Sequence, residues 1–168
     1  MNFRIASAAA AGVCAALLGY AYYLQYVVGL NPCPLCLVQR GFFYAVMAAF
    51  AIAALHPHRI YPGFAALFAL GGIAAAGRQV WLQHLPADRV PACGPDLYFM
   101  LENFPLTRTL STLIKGTGEC AAVDWTFLGL SIAEWSLLWF IALFALALWL
   151  ALKGRKHLPH QYQGRAAA

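Results

Sequence analysis

Charge is what this chain lacks most: Asp, Glu, Lys and Arg make up 10% of its 168 residues, against 62% hydrophobic residues. With a mean hydropathy of +0.67, that scarcity excludes a soluble domain of this size. Acids are fewer still, six in all, and Asp88, Asp96, Glu102, Glu119, Asp124 and Glu134 all fall between residues 83 and 134. Histidine is too sparse for a metal centre. His84 is the one histidine in that stretch, His56 and His58 lie in another connection, and a single CxxC supplies too few ligands for a tetrahedral site. The apolar runs show no strand alternation, which excludes a membrane barrel. There is no internal repeat, and no low-complexity segment beyond an alanine-rich first run, so residues 1–168 read as one membrane domain.

What the sequence does have is length in its apolar runs: Ile5–Val28, Leu35–Leu55, Ile60–Leu82 and Trp135–Leu152. At about 1.5 Å per helical residue each crosses a hydrocarbon core of roughly 30 Å, the last with little to spare. The expected fold is all-α, an integral membrane four-helix bundle. The first run exceeds the roughly 7–15 apolar residues of a signal peptide and reads as a retained anchor. The net charge of +5 is not a nucleic-acid signal, because the charges are segregated. Arg4, Arg59, Lys153, Arg155, Lys156 and Arg165 lie at the N-terminus, in "HPHRIYPG" and in the tail 153–168, with no acid among them. The positive-inside rule then puts both termini in the cytoplasm and the connections 29–34 and 83–134 outside. In the long connection, "PLTRTLSTLIKG" spaces Leu106, Leu110, Leu113 and Ile114 on one helical face, which predicts a short helix lying in the outer interface. Trp81, Trp135 and Trp149 fall where interfacial belts are expected.

That topology places Cys33, Cys36, Cys93 and Cys120 outside, where disulfides persist. Cys14 sits within the first span as a small packing residue. Four cysteines allow three pairings, and spacing alone does not choose among them. Cys33 and Cys36 are too close for their disulfide to close a useful entropic loop, whereas one between Cys93 and Cys120 is worth roughly 3–4 kcal/mol in the chain-entropy model. A redox pair suits "NPCPLCLVQR" better than a staple. Pro32 and Pro34 precede or open a helix beginning near Leu35, so Cys36 falls in its first turn, where free N–H groups favour a thiolate. Arg40 follows at i+4, on the same face, and adds positive charge. Gln25, Gln79, Gln83 and His84 place polar groups at the same membrane depth, where the headgroup of a lipid-soluble oxidant could dock. Oxidising a dithiol oxidase near about −120 mV needs a more positive acceptor, such as a membrane quinone.

With these residues together the chain resembles the family of bacterial disulfide bond formation protein B (DsbB). The resemblance runs from Gln25 through "CPLCLVQR", "RQVWLQH" and "ACGPDLYFMLENFPL" to "GECAAVDWTFLGLSIAEW". It implies a thiol–quinone oxidoreductase of the bacterial inner membrane, its cysteine loops periplasmic, that reoxidises a periplasmic DsbA-type thioredoxin-fold oxidase. By resemblance Cys93 forms the mixed disulfide with that partner and Cys120 is released. Cys120 then exchanges with Cys33, and Cys36 is left as a thiolate facing ubiquinone or menaquinone. Arg40 is implied at the quinone ring, with Gln25, Gln79 and His84 as further binding candidates. Two other readings stay open: an outward-facing membrane thiol reductase working in the opposite direction, and a scaffold whose disulfide only staples the outer loop.

Overall fold

The computed structural model describes residues 2–92 and 116–153, together with 103, 105 and 107. Four long helices carry it: α1 (Phe3–Tyr26), α2 (Pro34–Leu55), α3 (Ile60–Gln83) and α4 (Ile132–Lys153). Each is long and apolar enough to cross a membrane, so the expected membrane four-helix architecture is the one that forms. Most of the interfacial helix expected over 105–116, Cys93, and the tail from 154 onward lie outside the described residues.

Local chemistry sets the helix ends. After α1, Gly29 takes φ +82°, and Leu30 N–H reaches back to the Leu24 carbonyl at 3.0 Å, a glycine-dependent C-terminal closure. Helix α2 starts with Pro34 in its first turn, where a missing N–H costs nothing. It stops at Leu55, with Pro57 disfavouring helical backbone at His56. Helix α4 begins at Ile132 rather than at the expected Trp135. The reason is a capping box in "SIAE": Glu134 N–H donates to Ser131 Oγ at 3.3 Å and Ser131 N–H donates to Glu134 Oε2 at 2.7 Å. Just before it, β1 (Thr126–Phe127) pairs antiparallel with β2 (Leu130–Ser131). Leu128 and Gly129 turn the chain with φ +52° and +81°, the two left-handed residues of a tight hairpin.

α1 packs on α2, α2 on α3 and α3 on α4, leaving the α1–α4 side the most sparsely packed. Lipid tails are as apolar as leucine, so close approach and shape decide this packing. Helix α3 supplies the close approach through Ala65, Ala69, Gly72 and Ala76. Phe43 of α2 stacks on Phe140 of α4 with ring centroids 4.0 Å apart, and Phe140 lies where a Cβ at Gly72 would stand. Gly72→Val is therefore expected to lower the thermal stability of the detergent-solubilised protein by about 1–3 kcal/mol. Gly77→Ala, with open space around position 77, is the control that leaves the melting temperature unchanged or raised.

Candidate functional site: three sulfurs at the mouth of a membrane cavity

Cys33 is the N-cap of α2, and its Sγ accepts the Cys36 N–H at 3.3 Å. That local bond turns the two side chains together, with Sγ atoms 2.9 Å apart. The third sulfur arrives from the chain after residue 116. Gly116 adopts φ +76°, and a Cβ there would stand 2.6 Å from Leu82 Cδ1 and 2.8 Å from Leu35 Cδ1. Only glycine lets this segment lie flat on the ends of α2 and α3. The 3₁₀ turn Gly118–Ala121 then buries Cys120 completely, in one apolar cluster with Cys33, Leu35 and Leu82.

The electrostatics of this cluster are asymmetric. Cys120 is pulled down to about 6, first by the hydrogen bond from Cys33 and further by the backbone N–H groups of Leu35 and Thr117, against the opposing effect of burial. Cys33 is pushed far above the ordinary thiol range because its one S–H has two sulfur acceptors, Cys120 and Cys36, and because it is buried. The proton thus stays on Cys33 while Cys120 carries negative charge at neutral pH. A free N–H at the start of α2 does serve a sulfur, but Leu35 N–H serves Cys120. In the reduced protein, the Cys120 thiolate is expected to appear with a midpoint near 6, as the difference in ultraviolet thiolate absorbance between wild type and Cys120→Ala. Cys33→Ala removes the leading cause, so the midpoint moves up toward the ordinary thiol value of about 8.5.

Arg40 does not turn toward Cys36 as its i+4 spacing suggested. Its guanidinium crosses to α1, where it donates to Gln25 Oε1 and, at 3.1 Å, to the Ala21 carbonyl, and it lies 5.0 Å from the centre of the Tyr22 ring. Gln25, Cys36, Arg40, Gln79 and Gln83 nevertheless share one wall system. They line a cavity of about 1210 Å³ between α1, α2 and α4, with Leu18, Phe43, Trp125, Trp135 and Trp139 as apolar surface. His84 is not in that lining. It is exposed at the end of α3, with Nδ1 2.8 Å from the Val80 carbonyl of its own helix. Gln83 accepts the Ser131 hydroxyl at 2.8 Å and so ties α3 to the start of α4. Cys14 is buried in the helix core, away from the other sulfurs. The expectation from sequence passed over Gln39, buried three residues beyond Cys36 and bonded to Gln79 at 2.6 Å. An amide inside an apolar span was the available signal.

The cavity walls are largely apolar, and the Arg40 guanidinium places N–H donors on them. Comparison with known proteins points to disulfide chemistry. The family model described as "Disulfide bond formation protein DsbB" matches residues 3–150. "Disulfide bond formation protein B" of Hahella chejuensis is 53% identical over 132 residues, covering 76% of this chain and 80% of its own. The protein of the same name from Nitrosococcus oceani is 49% identical over 142 residues, 82% and 84% of the two chains. That from Marinobacter nauticus is 46% identical over 155 residues, 89% and 91%.

Proposed function

The chain belongs to the DsbB family of disulfide bond formation proteins, and from that premise we propose that it is a membrane thiol–quinone oxidoreductase that reoxidises a periplasmic dithiol oxidase of the DsbA type. The observation that carries the reading is the meeting of Cys120 with Cys33 and Cys36 beside the cavity that Arg40 also lines. A structural staple needs neither a third sulfur nor a cavity.

In the relay we propose, a thiolate of the reduced partner attacks a Cys93–Cys120 disulfide at Cys93. The partner's second thiol resolves that mixed disulfide, so the partner leaves as a disulfide and its two electrons remain on Cys93 and Cys120 as thiols. The Cys120 thiolate, which the backbone N–H groups of Leu35 and Thr117 stabilise, attacks Cys33 of a Cys33–Cys36 disulfide. A Cys33–Cys120 bond forms and Cys36 leaves as the thiolate; attack of Cys93 on Cys120 then re-forms the Cys93–Cys120 bond and releases Cys33, so that Cys33 and Cys36 together hold the two electrons. Its burial beside Cys33 makes Cys120 a nucleophile already in place. Quinone, when bound, supplies an acceptor for two electrons and two protons and becomes quinol. Arg40 and Gln25 are the groups we assign to holding it. With the basic termini cytoplasmic, the cysteine end of the bundle faces the periplasm of a bacterial inner membrane.

The test is catalytic quinone loss with the purified protein, a reduced DsbA-type partner and a soluble quinone, run beside Cys33→Ser, Cys93→Ser and Cys120→Ser. Loss that requires every cysteine is the expected result. Folded protein that leaves the quinone untouched sinks the reading and turns attention to a reductase working in the opposite direction.

A further inference from the structure

Two amides lie inside the bundle, Gln39 on α2 and Gln79 on α3, each 4% exposed. They are bonded to each other, Gln39 Nε2 donating to Gln79 Oε1 at 2.6 Å. A buried amide in a membrane span is expensive unless its polar atoms find partners, and here the remaining partners of Gln79 are the sulfurs. Its Nε2 lies 3.3 Å from Cys36 Sγ and 3.4 Å from Cys33 Sγ, and its Oε1 lies 3.6 Å from Cys36 Sγ.

A pair of amides can be wired in two senses. Were Gln79 the donor to Gln39, its carbonyl would turn to the sulfurs, and a carbonyl has nothing to offer a thiolate. With Gln39 as donor, the Gln79 N–H is fixed toward them. We propose that Gln79 is a catalytic hydrogen-bond donor to the Cys36 thiolate and that Gln39 is the positioning residue that fixes the sense of its amide. The same amide serves both protonation states of Cys36. The thiol donates to Oε1 and the thiolate accepts from Nε2, so no rotation is needed between them. That matters at one step of the relay, on whose reading this inference rests. When Cys120 takes Cys33, the electron pair of the broken Cys33–Cys36 bond stays on Cys36, and the Gln79 N–H is already there to receive it. Gln79, expected from sequence among the quinone-holding candidates and present in the cavity lining, also faces the sulfurs.

The test uses a readout that needs no quinone: the rate at which iodoacetamide modifies Cys36 in the reduced full-length protein at fixed pH, located by peptide mass spectrometry. A charge-assisted donor is worth about 10–150-fold. A less stabilised thiolate recovers part of that through higher nucleophilicity. Gln79→Met is therefore expected to slow modification by about 3–30-fold net. Gln79→Leu, which is of similar size and has no polar atom, slows it too and covers the case in which methionine disturbs packing. Gln39→Met lowers the rate by a smaller factor, and the double methionine variant is no slower than Gln79→Met alone, because Gln39 acts only through Gln79. Single-variant effects that multiply in the double overturn the positioning role. An unchanged rate in both Gln79→Met and Gln79→Leu overturns the donor role. Quinone reduction by the wild type is followed in parallel. Its absence sinks the thiol–quinone reading while the alkylation result still decides the amide pair.

Discussion

Cys36→Ser is expected to stop catalytic quinone reduction, with a loss on the order of a thousandfold or more, while the protein still oxidises its partner once. The substitution exchanges sulfur for oxygen in a half-buried side chain whose nearest atoms are Cys33 Sγ and the Gln79 amide, so the fold has little to lose. The chemistry has everything to lose. A serine hydroxyl neither forms a disulfide nor ionises near neutral pH, so position 36 can no longer hold the electron pair. Cys93 and Cys120 remain, and a disulfide between them can still be spent on one equivalent of reduced partner. The expected trace is a burst of one partner oxidised per protein with no quinone consumed. Sustained quinone loss by Cys36→Ser would move the donor to another sulfur. No burst at all would place the partner-facing disulfide elsewhere. A scaffold whose disulfide merely staples a loop predicts no quinone use even by the wild type, so the same measurement excludes it.

The helices were legible because four runs too apolar for water and long enough for a bilayer leave the chain few alternatives. Their ends depended on capping. "SIAE" carried a capping box that apolar counting passes over. The hairpin over 126–131 rests on a left-handed Leu128, a conformation leucine rarely signals. In the site, the CxxC and its proline were readable as a helix N-terminus, and Cys33 and Cys36 do meet there. The arrival of Cys120 was not readable, since it depends on Gly116 lying against Leu35 and Leu82, two side chains from different helices. Periodicity put Arg40 on the face of Cys36 but said nothing of α1. Gln25 and the Ala21 carbonyl, one turn apart on that helix, draw the guanidinium across. Gln79 and His84 had looked alike as polar residues near the end of α3. Their positions around the helix separate them, Gln79 facing the buried sulfurs and His84 exposed.

Arg40→Met is expected to lower quinone use by about 10–150-fold, the kinetic equivalent of a charge-assisted hydrogen bond worth roughly 1.5–3 kcal/mol, and to leave the single-turnover oxidation of the partner within about twofold. The division follows from where the guanidinium sits. It bonds to α1 and lines the cavity, whereas Cys120 is fully buried against Leu35 and Leu82 and takes no part in that lining. Methionine keeps much of the side-chain length against Tyr22 but leaves Gln25 Oε1 and the Ala21 carbonyl without their donor. A drop in the melting temperature equivalent to about 1–3 kcal/mol should accompany the kinetic loss. Arg40→Lys separates the two effects. It restores positive charge but not the planar fork that can reach Gln25 and Ala21 together, so quinone use recovers in part and stability less. The comparison is made by stopped-flow, following quinone absorbance in one experiment and partner oxidation in the absence of quinone in the other. Equal losses in both half-reactions would mean that Arg40 supports the sulfurs rather than the quinone, and the cavity would then need another anchor.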